Sequence, residues 1–142
     1  MNLETCKKVL RIAGIFSIIS AVLVAIIAFL GIAGGGSLAG APDATAETQQ
    51  TASKAISAGY LFLVLSVLSL IEGIVSYMAG KNGKKTPATI ALIVAVLTTI
   101  TYTYNTFTAG LQPSNIVGEI INIAFNILVI YSAYIVRKNA EA

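Results

Sequence analysis

The sequence predicts an all-α membrane protein: four transmembrane helices in a compact antiparallel bundle, with both termini in the cytoplasm. Three observations lead there. Only 11% of the residues are charged and 56% are hydrophobic, with a mean hydropathy of +0.85, whereas a soluble domain carries about 25% charged residues. Such a chain cannot clothe its surface in polar groups, so much of it must face lipid or another apolar protein. Four apolar runs, at about 9–33, 58–79, 87–108 and 116–136, each reach the roughly 20 residues that a spanning helix needs. Finally, eight of the nine Lys and Arg fall at three points: Lys7, Lys8 and Arg11, then Lys81, Lys84 and Lys85, then Arg137 and Lys138. Four crossings put all three groups on one side, which the excess of positive charge marks as the cytoplasm. This orientation, in the plasma (inner) membrane, is the expected location.

Residues 1–142 are expected to form a single four-helix transmembrane domain, because four spans take up about 80 residues and leave only loops and tails. The first run is too long for the 7–15-residue apolar core of a signal peptide, so it is expected to remain as a span. The net charge of +3 is no sign of nucleic-acid binding, since the basic residues flank spans and meet anionic headgroups at about 1 kcal/mol each. The expected partners are the lipid bilayer and either a second copy of the chain or another membrane protein. No cofactor is expected. There is no His, and Cys6 is the single cysteine, which removes the commonest general base and metal ligand as well as any internal disulfide. Cys6 lies where acylation can occur, although a free thiol is the expectation.

The first helix can be capped by Asn2 and is expected to stop at Gly34-Gly35-Gly36, where consecutive glycines cost the most backbone entropy. Ala13, Ser17, Ala21 and Ala25 recur every four residues and make a small-residue stripe for close helix contact. An external loop over 34–57 follows, irregular at 34–41. Its second half is read as helical from about residue 44, capped by Asp43 and continuous with span two, which Gly80-Lys81-Asn82-Gly83 ends. Thr86-Pro87 is read as the start of span three. Residues 109–113 form an external turn, and Ser114 or Asn115 is expected to cap span four.

Chemistry enters with the polar residues inside the spans. A charge at the bilayer centre costs roughly 2.5–3.5 kcal/mol on insertion scales, and such residues face protein or a water-filled cavity. Glu72 lies about 5 Å from the midpoint of span two and Glu119 about 10 Å from that of span four, at roughly 1.5 Å per residue. Depth matching sets Glu72 level with Ser17 and Ser20 and near Asn126, with Ser69 and Ser76 on its own helix face. With no Lys or Arg in the spans to pair with it, an ionised Glu72 would cost more than a neutral one. A second cluster, further out, joins Glu119, Asn122 and Asn126 to the polar half of span three, with Thr98, Tyr102 and Asn105, as a wet crevice open to the outside. The candidate proton, cation or polar-cavity site is thus Glu72, Glu119, Asn122, Asn126, Asn105, Ser17 and Tyr102. Against these stand the ordinary roles of Thr and Tyr at a membrane interface and of Asn and Ser as helix-packing contacts.

No catalytic pattern is present, and Gly34-Gly35-Gly36 lacks the strand and lysine of a phosphate cradle. In size, pass number and an intramembrane Glu the chain resembles the small multidrug resistance transporters. Those carry the acid in span one and a tryptophan; here span one holds no acid and the chain no Trp, so no residue role carries over. Two expectations remain. One is a non-enzymatic accessory or structural tetraspan that packs with itself or another membrane protein. The alternative is a small proton- or cation-coupled transporter or channel using Glu72, Glu119 or both.

Overall fold

The computed structural model describes residues 1–110 and 113–140, without the side chains of Ala109 and of residues 113–115. It is all-helical over these residues: α1 Leu3–Ala39, α2 Ala46–Asn82, α3 Lys85–Ala109 and α4 Pro113–Asn139. All four helices are long and apolar enough to cross a membrane.

The helix ends follow local chemistry. Asn2 caps α1 as expected, its side-chain oxygen accepting from the Thr5 amide at 2.8 Å. Helix α2 begins at Ala46, and its cap is Thr45 rather than Asp43; the Thr45 hydroxyl accepts from the Thr48 amide at 3.1 Å. It ends as expected on Gly83, which takes the left-handed conformation with φ 62°. Helix α3 starts earlier than Thr86, after Lys84, with no side-chain cap. Pro87 then occupies the third helical position, where its missing N–H is one of the four with no partner inside the helix. Because α4 starts at Pro113, Ser114 and Asn115 lie inside its first turn instead of capping it. Of the expected external turn, Leu111 and Gln112 lie outside the described residues.

The largest departure from expectation is at Gly34-Gly35-Gly36. The helix runs through them to Ala39, so 34–39 is regular rather than loop. The reason is contact: a Cβ on Gly35 would fall 2.9 Å from the Ala52 carbonyl and 2.7 Å from Ile56 Cγ1. Packing against α2 therefore offsets the roughly 1 kcal/mol that glycine costs a helix. Gly34 and Gly36 face open space.

Glycine contacts continue along α1 and α2. Gly14 meets Gly73 and Tyr77, Gly59 meets Ala28 and Ile32, and Gly80 meets Lys7 and Arg11. Positions ascending along α1 thus meet positions descending along α2. Midway, Ser66 Oγ donates to the Ala21 carbonyl at 2.7 Å, in a buried bond between the helices. Of the small-residue stripe, Ala13, Ser17 and Ala21 are buried and Ala25 is half-buried. The face extends further than the stripe, to Gly14, Ala28 and Gly35.

All four helices share one core, and it lies at one end. Cys6, Leu10 and Ala13 of α1 and Ala79 of α2 pack with Ala88, Ala91 and Ala95 of α3 and Val129, Ala133 and Val136 of α4. Buried Cys6 is a free thiol within this cluster, away from acylating chemistry at the surface. Toward the other end no buried residue of α3 lies beyond Thr98, and none of α4 beyond Asn126, among residues with described side chains. There the buried positions include Ala21, Ala28, Gly35, Ala52, Gly59 and Ser66, all between α1 and α2. At about 1.5 Å per residue, the 37 residues of α1 and of α2 exceed the 25 of α3 and 27 of α4 by about 15 Å. With the core ends level, α1 and α2 project beyond the other pair.

Candidate functional site

Above the shared core, the four helices enclose a cavity of about 590 Å³. Its back wall comes from α2 and α3: Leu65, Ser69, Glu72, Thr98 and Tyr102. Its mouth lies between α1 and α4, because the exposed lining residues Ile12, Phe16 and Ser20, and Gly118, Ile121 and Leu128, belong to those two helices.

Glu72 sits in the back wall, 3% exposed. Gly73 beside it and Ser76 one turn on are buried too, and Gly73 holds this stretch of α2 against Gly14 and Ile18 of α1. Thr98 of α3 faces the carboxyl, yet no hydrogen bond of good geometry joins them; Glu72 Oε1 and Thr98 Oγ1 are both without a partner. On α4, Asn126 Nδ2 donates to the Asn122 carbonyl at 2.9 Å and to Asn122 Oδ1 at 3.1 Å. Both donors of the Asn126 amide thus point along its own helix, leaving Asn126 Oδ1 without a partner, as is Asn122 Nδ2. Buried polar atoms are normally paired. The four unpaired ones belong to residues that line the cavity, and each atom is itself shut off from the open space.

Ser17, Glu72, Tyr102, Asn122 and Asn126 all line this cavity, with Ser20 and Ser69. The inner cluster apart from Ser76, and Thr98, Tyr102, Asn122 and Asn126 of the outer one, therefore line a single cavity. Glu119 and Asn105 lie apart from it. Thr103 Oγ1 donates to Glu119 Oε1 at 3.3 Å, and Thr106 Oγ1 lies 2.9 Å from Oε2. The same Thr106 hydroxyl is 3.0 Å from the Tyr102 carbonyl, and its one proton serves one acceptor at a time. Glu119 consequently faces α3, while Asn122 and Asn126 turn to the cavity. The Asn105 carbonyl accepts from Thr108. Thr99, Thr101 and Thr108 likewise bond to carbonyls of their own helix, the ordinary packing role of hydroxyls in helices. Of the expected crevice between the polar half of α3 and α4, Thr98, Tyr102, Asn122 and Asn126 line the cavity, whose exposed lining residues lie on α1 and α4.

Phe16 and Phe125 are lining residues that a reading of polar residues alone passes over. Their signal was spacing: Phe16 stands four residues before Ser20 and Phe125 three after Asn122, so each shares a helix face with a polar lining residue. Among the described residues, no group of three or more His, Cys, Asp or Glu could hold a metal ion. No known protein family, curated protein or solved structure matches the chain.

Proposed function

We propose that this chain is a small multi-pass integral membrane protein of the plasma (inner) membrane, an antiparallel four-helix bundle with cytoplasmic termini. Its role in this reading is not catalytic: it binds a small molecule in the cleft between α1 and α4 and moves it across the bilayer, with Glu72 as the anchor. The observation that favours this most is the environment of Glu72, a buried carboxyl lining an open cavity with an oxygen left unpartnered. Intramembrane acids kept at a cost of this kind mark substrate and proton pathways. A cavity above a closed four-helix core also matches one access state of a transporter.

The accessory reading, packing against a second copy or another membrane protein, draws on the exposed apolar length of α1, from Val22 to Leu30. Any lipid-facing helix presents such a surface, so it discriminates less than the cleft does. A structural contact also requires no titratable group, and a polar cluster built for packing would pair its own atoms.

The test is flux. Purified protein in liposomes is expected to dissipate an imposed proton gradient when a suitable small molecule from a broad panel is added, and Glu72→Gln is expected to abolish that response. Equal responses from wild type and variant across the panel would remove the transport reading and leave the accessory one.

A further inference from the structure

We propose that the basic end of the bundle carries a binding site for a phosphate ester of net negative charge, in a pocket where all four helices end. The site is separate from the cleft, and it rests only on reading the helices as membrane-spanning. The pocket encloses about 330 Å³. Lys7 of α1, Asn82 at the end of α2, Lys84 just before α3 and Val136 near the end of α4 all line it. Two lysines thus border one space, and its described lining holds no Asp or Glu.

Lys7 is held at this pocket by packing. Its side chain is 26% exposed and lies against Gly83, where an added Cβ would fall 2.8 Å from Lys7 Cε and 3.1 Å from Nζ. Gly83 has φ 62°, which glycine adopts at no steric cost. One residue therefore ends α2 and leaves room for the ammonium. The ion pair of Lys7 with Glu4 is long, at 3.9 Å, and the Glu4 side chain is 72% exposed. An exposed pair of this kind is weak, and an ammonium has three donors, so Lys7 keeps capacity for a ligand. Lys84 adds a second charge at the N-terminus of α3, which no side chain caps and where the helix dipole also favours an anion.

These charges set the sign of the ligand, and the place in the fold sets its kind. The pocket lies level with the basic groups that flank the spans, where lipid headgroups sit, and basic pockets between spanning helices bind such headgroups. Each ammonium can meet a phosphate oxygen in a charge-assisted hydrogen bond, and the Asn82 amide supplies a further donor. Leu3 and the buried Val136 form an apolar floor for glycerol carbons. A choline headgroup brings its own cation toward the two lysines, so net charge selects against it. A lipid headgroup and a soluble phosphate ester share the required chemistry.

Native mass spectrometry of the full chain in neutral detergent, titrated with lipids of matched acyl chains, reads the first binding event. Phosphatidylglycerol is expected to bind about tenfold more tightly than phosphatidylcholine, from charge-assisted hydrogen bonding. Lys7→Gln combined with Lys84→Gln should bring phosphatidylglycerol down to the level of phosphatidylcholine and leave phosphatidylcholine unchanged, which also reports that the variant is folded. Lys8→Gln combined with Lys81→Gln removes the same charge from exposed positions outside the pocket and should leave most of the preference in place. Equal losses from the two pairs would overturn the site, because charge spread around the bundle would then explain the binding. A wild type with no preference for phosphatidylglycerol would overturn it as well. Glycerophosphoglycerol, the same headgroup without chains, separates the sources. Displacement of the lipid by an equal concentration of it supports the site as one for soluble esters, and failure to displace supports the lipid. Glu72→Gln should bind phosphatidylglycerol like wild type, so the outcome stands apart from that of the flux assay.

Discussion

Gly14 and Gly73 bring the backbones of α1 and α2 into direct contact. A Cβ on Gly14 would fall 2.6 Å from the Gly73 carbonyl, and one on Gly73 would fall 2.8 Å from the Gly14 carbonyl. Backbone cannot yield as a side chain can, so Gly14→Ala and Gly73→Ala are each expected to destabilise the fold by about 1–3 kcal/mol, as overpacking does. Unfolding of the purified protein in mixed micelles measures this. Loss of under about 0.5 kcal/mol, the scale of an uneventful substitution, would show that the helices are not this close. Because Glu72 neighbours Gly73, the same substitutions should also disturb the cleft.

The triple glycine divides by its contacts. Gly34 and Gly36 face open space while Gly35 meets Ala52 and Ile56. Gly34→Ala and Gly36→Ala should each stabilise by about 0.5–1 kcal/mol, the helix preference of Ala over Gly, whereas Gly35→Ala should destabilise. Equal effects at all three positions in the same unfolding assay would contradict a helix that runs through to Ala39.

Glu119 is expected to behave as a structural acid. Its partners Thr103 and Thr106 would lose their acceptor in Glu119→Leu, which should cost about 1 kcal/mol at this half-buried position. Glu119→Gln should be close to neutral, since an amide oxygen can accept in its place. Neither change should alter ligand-dependent flux, in contrast to Glu72→Gln. Loss of flux in Glu119→Gln would move this residue into the transport site.

Orientation is checked by cysteine accessibility in a Cys6-substituted background. A cysteine at Ser37 or Gln50 should be labelled from outside intact cells, and one at Asn82 or Asn139 only from inside. External labelling at Asn82 would reverse or break the expected topology.

The helices were legible because their causes are local: apolar runs of spanning length, and caps such as Asn2 and Gly83. The continuation of α1 through Gly34–Gly36 was not, because it depends on Ala52 and Ile56, residues whose approach no local pattern announces. At the site, depth counted from the basic ends brought Glu72, Ser17 and Asn126 to one level, and all three line the cavity. Rotation about each helix axis was the missing quantity. It sets the mouth between α1 and α4 through side-chain packing that spacing alone does not encode, whereas Glu119, on the same face of α4 as Asn126, is parted from the cavity by its height along the helix, about 10 Å over seven residues.

The most direct test of the central claim, that Glu72 lines a cleft reachable from the bilayer, is its reaction with an apolar carbodiimide. Intact-mass and peptide analysis of the protein treated in liposomes should find a single main adduct, on Glu72, absent in Glu72→Gln and suppressed in Ser17→Phe, which fills the cavity beside it. A protein that stays unmodified at Glu72 while its exposed carboxyls react would contradict the account, because a carboxyl sealed in a closed helix contact admits no reagent of that size.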